Sequence, residues 1–302
     1  MTPASQRPLE NDAAASLSKR VIAVLNTDSA SCDATTPVRI GEIFARAGLA
    51  HPEVISIGPP NLEKALEDAA TKAEVVVVLG GDGTIRTAAM KCGKAGKLLI
   101  PLPGGTMNML SRALYGDVSW EQALTNALAA PDVREVSGGS AEGQPFFCVA
   151  ILGAPTLWAD AREAIRRGRL FEAIKRSLTA IRRSGEALHY QLGDQLSGTA
   201  EAVAVICPLV SMAMHKDEHS LEAAALDPTT AGAMFRLASH AIFDNWRDDP
   251  SVSRTKVKAV RVSGHGRVPV ILDGEKAYMG RTVSVTFVPL AFRAIAAAEP
   301  VA

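Results

Sequence analysis

Between residue 19 and about residue 130, short apolar runs alternate with helical segments in strict order. The runs read RVIAVLN, EVISIG, EVVVVLGG and KLLIPLPGG, and between and after them stand PVRIGEIFARAGL, NLEKALEDAATKA, TIRTAAMKCGKAG and TMNMLSRALYG. Strict alternation of strand and helix predicts a parallel sheet with helices wound over its faces. Ligands of such sheets bind beyond the carboxyl ends of the strands. Two glycine-rich segments, GGDGT and PLPGGTMN, stand at such ends.

After about residue 131 the alternation stops. FFCVAILGA, EAVAVICPLV, TKVKAVRVSG, RVPVILDGE and RTVSVTFVP read as strands separated by turns or long insertions, which predicts a mainly antiparallel second domain. The expected organisation is a disordered tail over 1–18, an α/β domain over 19–130 and a β-rich domain over 131–302. A chain of 302 residues has room for both.

Lysine plus arginine number 32, as do aspartate plus glutamate, so general nucleic-acid binding is not expected. Cys32, Cys92, Cys148 and Cys207 are scattered and form no C-x-x-C pair, which fits a reducing compartment and offers no zinc framework. The first twenty residues lack the apolar core of a signal sequence, and no run approaches a membrane span. A cytoplasmic protein is the expectation.

The segment VVVVLGGDGTIRTAA admits two readings. Asp-Gly pairs are common in turns. The alternative is a phosphate cradle, in which Gly80, Gly81 and Gly83 let backbone amides approach an anion at the start of a helix. Neither a Walker A loop nor a Rossmann fingerprint is present. HKDEH at 215–219 matches an inverted zinc-peptidase pattern, a five-residue coincidence outside any long apolar helix.

Three segments in order, GGDGT at Gly80–Thr84, PGGTMN containing Pro103, Gly104, Gly105, Thr106 and Asn108 ahead of SRAL, and the late apolar-Asp-Gly-Glu run at Asp273–Glu275, resemble the diacylglycerol kinase catalytic family. That family includes bacterial lipid kinases, sphingosine kinases and ceramide kinases. The resemblance implies a two-domain kinase: a parallel-sheet α/β domain, a mainly antiparallel β-sandwich, and a nucleotide in the cleft between them. It implies ATP and Mg²⁺ as cofactors and a membrane lipid of the diacylglycerol or ceramide/sphingoid class as acceptor.

On this reading Asn26, Gly80, Gly81, Gly83, Thr84, Gly104, Gly105, Thr106 and Asn108 bind nucleotide. Asp82 serves Mg²⁺ through water, Asp273 orients the metal or the base, and Glu275 accepts the proton of the acceptor hydroxyl. DGEK between two strands is equally an ordinary hairpin turn. DEHSLEAAAL aligns with a further family segment and places Glu218, Leu221 and Glu222 near a structural metal. Two departures stand out: Asn26 is followed by TDSASC, where the family has Asn-Pro and a glycine, and Met109 stands where many members carry aspartate.

Residues 156–184 concentrate Arg162, Arg166, Arg167, Arg169, Lys175, Arg176, Arg182 and Arg183 beside apolar residues at helical spacing. This predicts a basic amphipathic helix, either packed on the β domain or resting on an anionic membrane surface. An enzyme related to NAD kinases and a non-catalytic nucleotide- or lipid-binding regulator are the alternative functions. A homodimer is left open.

Overall fold

The structure is a computed structural model and describes residues 10–153, 187–227 and 246–297. The basic segment 156–184 therefore lies outside the described residues. The chain forms two compact units, one of residues 1–137 with 289–302, the other of residues 138–288.

The first unit contains α1 (Glu10–Leu17), β1 (Val21–Asn26), α2 (Thr36–Arg46), β2 (Glu53–Ile57), α3 (Pro59–Lys72), β3 (Val75–Gly80), α4 (Asp82–Ala95), β4 (Leu98–Pro103), α5 (Met109–Tyr115) and α6 (Trp120–Ala129). Its strands run in the order β2-β1-β3-β4, all parallel, with Val24 level with Val78 and Val78 level with Pro101. Every residue of β3 and β4 is buried, as expected where helices cover both faces of a parallel sheet. Phe44, Leu25, Val77, Ile100, Leu124 and Ile295 share one core. Burying each such side chain contributes roughly 1.5–3 kcal/mol.

Local signals set the helix ends. Prolines stand in the first turns of α2 and α3, where a missing N–H costs nothing. Gly96, left-handed at φ 67°, closes α4. Ser119 accepts the Gln122 amide at 3.2 Å and opens α6.

Two expectations are corrected. Part of the tail expected to be disordered is helical: α1 spans Glu10–Leu17, and its Ala13 and Leu17 are buried in the core of the first unit. The division falls at Ser137 and Gly138 rather than near 131, and the chain's last strand returns to the first unit. There Arg293 and Ala294 pair in parallel with Leu98 and Leu99, and the Tyr115 hydroxyl donates to the Ile295 carbonyl at 2.7 Å.

In the second unit, the last residues of β5 (Pro131–Ala141) form a hairpin with β6 (Gln144–Phe146). Then come β7 (Val149–Gly153), β8 (Leu188–Leu192), β9 (Leu196–Ala200), β10 (Ala202–Ile206), β11 (Leu221–Leu226), β12 (Val252–Val257), β13 (Ala259–Ser263), β14 (Pro269–Leu272), β15 (Glu275–Tyr278) and β16 (Thr282–Ala297), the strand that ends in the first unit. One sheet has the order β12-β11-β10-β7-β14-β15; β16, β13, β8 and β9 are neighbours in the other. Among the described residues these sheet neighbours pair antiparallel. Side chains from both sheets, among them Leu152, Val205, Val270, Val260 and Val283, make a single core, which is a β-sandwich. TKVKAVRVSG, expected as one strand, is two: the chain breaks at Lys258 and passes from one sheet to the other.

Candidate active site

β3 ends in Gly80, and Gly81 is the extended residue that precedes α4. No side chain caps this helix, and its first internal bond runs from the Ile85 amide to the Gly81 carbonyl at 3.0 Å. The amides of Asp82, Gly83 and Thr84 are left at the positive end of a 14-residue helix without intrahelical acceptors. Such an end suits a phosphate.

The second glycine loop lies directly against the first. The Gly104 amide donates to the Gly80 carbonyl at 2.9 Å. A Cβ on Gly105 would stand 2.6 Å from the Gly81 Cα, so the two backbones meet at a distance that only glycine permits. Asn108, left-handed at φ 52°, folds its side chain back onto the loop. Its Oδ1 accepts the Gly105 amide at 2.7 Å and its Nδ2 donates to the Gly105 carbonyl at 2.8 Å.

Asp82 joins the two loops. Its carboxylate accepts the Asn108 amide at 3.0 Å and the Met109 amide at 2.7 Å, capping α5 from outside that helix. Asn26 donates from Nδ2 to the Thr84 hydroxyl at 3.0 Å and accepts the Asp28 amide at 3.1 Å. Ser29 donates to the Gly104 carbonyl at 2.5 Å. The TDSASC turn, which lacks the family's glycine, is thereby bound to the second loop. Nothing in the sequence pattern marks Ser29 for this part.

The structure thus brings Asn26, Gly80, Gly81, Gly83, Thr84, Gly104, Gly105 and Asn108 into one cluster, with Thr106 exposed on its loop. It also revises their parts. The Gly104 and Gly105 amides, expected to face phosphate, are spent inside the loop pair, and Thr84 is buried as the acceptor for Asn26. The amides that open α4 have no intrahelical acceptor.

A cavity of about 360 Å³ in the same unit is lined by residues including Ser31, Arg39, Asn108, Arg112 and Trp120. Arg39 is paired with Asp33 and Glu121, and Arg112 with Asp117, so its arginines are already neutralised.

Asp273 and Glu275 belong to the second unit. Asp273 and Gly274, at φ 49° and 93°, form the two-residue loop between β14 and β15, the geometry of a type I′ hairpin turn. Asp273 is 6% exposed; it accepts the Phe147, Cys148 and Val149 amides at 2.7, 2.8 and 2.9 Å. Burial, and then the negative charge of Asp273, push the Cys207 thiol well above its ordinary value. Glu275 is exposed at the first position of β15. Both aspartates expected to serve a metal accept backbone amides: each Asp82 oxygen takes one, and the Asp273 carboxylate takes three.

The other candidate residues of the sequence lie in the second unit as well. HKDEH forms turns and not a helix, which removes the peptidase geometry. Glu218 is ion-paired with Lys256 at 2.7 Å, the Leu221 side chain lies in the β core, and Glu222 is buried against Arg247 and Ser211. All four cysteines are free.

Residues 20–141 match the diacylglycerol kinase catalytic domain family. Solved structures from Bacillus anthracis str. Sterne share the fold. One described as a diacylglycerol kinase is 20% identical, with a TM-score of 0.71 over 92% of this chain and 97% of that one. Another, also described as a diacylglycerol kinase, is 17% identical, with a TM-score of 0.68 over 92% and 96%.

Proposed function

Since this chain carries the catalytic domain of a lipid kinase, residues 20–141 belonging to the diacylglycerol kinase catalytic family, we propose that it transfers the γ-phosphoryl group of MgATP to a hydroxyl of a membrane lipid. The acceptor is of the diacylglycerol or ceramide/sphingoid class. The observation that carries the reading is the uncapped start of α4, where two glycine loops are pressed together.

Phosphoryl transfer asks a protein chiefly to position reactants and neutralise phosphate charge. The amides of Asp82, Gly83 and Thr84 hold the nucleotide phosphates, and the exposed Thr106 hydroxyl adds a donor. Mg²⁺ enters with the nucleotide as part of the substrate. Asp82 acts through the backbone of residues 108 and 109, keeping the second loop in place.

Glu275, whose carboxylate is exposed, takes the proton of the acceptor hydroxyl as its oxygen bonds to the γ-phosphorus. The bond from the γ-phosphorus to the bridging oxygen breaks, and ADP leaves. Asp273, by holding the start of β7 against the β14–β15 turn, fixes the direction in which Glu275 projects. Contact with an anionic membrane surface falls to the basic segment 156–184, and the enzyme works from the cytoplasm. Among the described residues no helix is long and apolar enough to cross a membrane.

The test is transfer of labelled γ-phosphate from MgATP to mixed micelles of diacylglycerol, ceramide, sphingosine or phosphatidylglycerol, and separately to NAD. Label on diacylglycerol or a sphingoid lipid supports the reading and names the acceptor. Label on NAD alone, or ATP binding with no acceptor labelled, overturns it in favour of a dinucleotide kinase or a non-catalytic regulator.

A further inference from the structure

We propose that the guanidinium of Arg247 is the built-in cation of the second unit, occupying the place that the acidic segment around β11 would otherwise give to a divalent metal. The resemblance assigns Glu218, Leu221 and Glu222 to such a metal. The residues as folded do not fit one.

Glu222 is 2% exposed, in a strand buried along its whole length. Its Oε1 accepts Arg247 Nε at 2.7 Å, and its Oε2 accepts Arg247 Nη2 at 3.0 Å together with the Ser211 hydroxyl at 2.5 Å. This is the side-on fork of a bidentate arginine-carboxylate pair. The Ser211 oxygen accepts the Ala213 amide at 3.1 Å, so the hydroxyl that serves Glu222 is itself oriented. Glu218, the other carboxylate in the alignment, is held by Lys256 at 2.7 and 2.9 Å. Leu221 has no side-chain donor and is paired with Val257 in the ladder.

Two acidic positions therefore each have a basic side chain from elsewhere in the unit. Mg²⁺ or Ca²⁺ takes six or more oxygen ligands, waters among them, with carboxylates supplying the charge. To bind here it would have to break the bidentate Arg247–Glu222 pair in a largely buried site, an unfavourable exchange. Among the described residues no group of three or more His, Cys, Asp or Glu side chains converges.

The inference rests on the second unit alone, and its readouts need no catalysis. The full chain is stripped with EDTA, assayed for bound metal by elemental analysis and melted without nucleotide, with and without millimolar Mg²⁺ or Ca²⁺. We expect no stoichiometric metal and an unmoved midpoint. Arg247→Met should lower the midpoint by roughly 10 °C, because it strands a buried carboxylate. Arg247→Lys should recover part of the loss, and the Glu222→Gln, Arg247→Met pair more of it. A retained stoichiometric metal, a midpoint that EDTA lowers and Mg²⁺ or Ca²⁺ restores, or an Arg247→Met protein as stable as wild type would each overturn the proposal. The metal analysis and the lysine variant keep the test decisive if Arg247→Met does not fold.

Discussion

Replacing Asp82 by alanine removes the acceptor for two backbone amides, Asn108 at 3.0 Å and Met109 at 2.7 Å. Hydrogen bonds to a charged group contribute about 1.5–3 kcal/mol each, and a partly exposed carboxylate belongs at the lower end, so the pair holds the second loop with about 3 kcal/mol. At about 1.4 kcal/mol per decade, that is roughly a hundredfold in the local opening equilibrium. Amide exchange measured by NMR on nucleotide-free, EDTA-treated protein should therefore be about 100-fold faster at residues 108 and 109 in Asp82→Ala. Asp82→Asn, which keeps one oxygen and turns an NH₂ toward an amide, should fall between the variant and wild type. Lost turnover alone would not separate a positioning role from a metal role. Unchanged exchange at both amides in the absence of metal would refute the argument and return Asp82 to the metal.

Three further outcomes are expected. Gly105→Ala sets a Cβ 2.6 Å from the Gly81 Cα, so it should force the glycine loops apart and weaken ATP binding in titration calorimetry while leaving the β-sandwich core unaffected. Glu275→Gln should lower kcat far more than it raises the KM for ATP, and an effect confined to KM would remove it as the base. The Thr35 hydroxyl and amide, with Thr36 and Arg39, hold the Asp33 carboxyl at about 2, below its ordinary 3.8. A depressed acid contributes stability that is fully present above its unfolded pKa and is lost as pH falls through the folded one. The 33–36 turn should thus stay ordered at pH 5 and loosen between about pH 4 and 2, read as exchange at the Thr35 and Thr36 amides; loosening above pH 5 would contradict the assignment.

The strands and helices of the first unit were legible because their apolar runs are long and their ends punctuated. GGDGT and PGGTMN were legible for the same reason: glycine concentrates where backbones must approach. The direction in which Asp82 spends its charge was not, since it depends on two amides 26 and 27 residues away. LEAAAL reads as helix by propensity but is strand β11, because pairing with β10 and β12 and burial on both faces override alanine's preference. SWEQALTNALAA carries a serine with glutamine three residues on, a start signal that would have found α6. The Arg247–Glu222 pair has no local signature, its partners being brought together only by the fold.

The return of β16 to the first unit sets an order of assembly during synthesis. When the ribosome has delivered residue 137, β4 has β3 on one side and no neighbour on the other. Leu98–Pro103, buried along its whole length in the finished protein, is then a bare apolar edge, the kind of strand that recruits other chains. It waits through more than 150 further residues for Arg293 and Ala294 to arrive, and Ile295 fills the same core with them. Until those residues arrive the α/β unit keeps that edge open, and a chain cut before Pro289 is expected to aggregate through β4 rather than persist as a free-standing half.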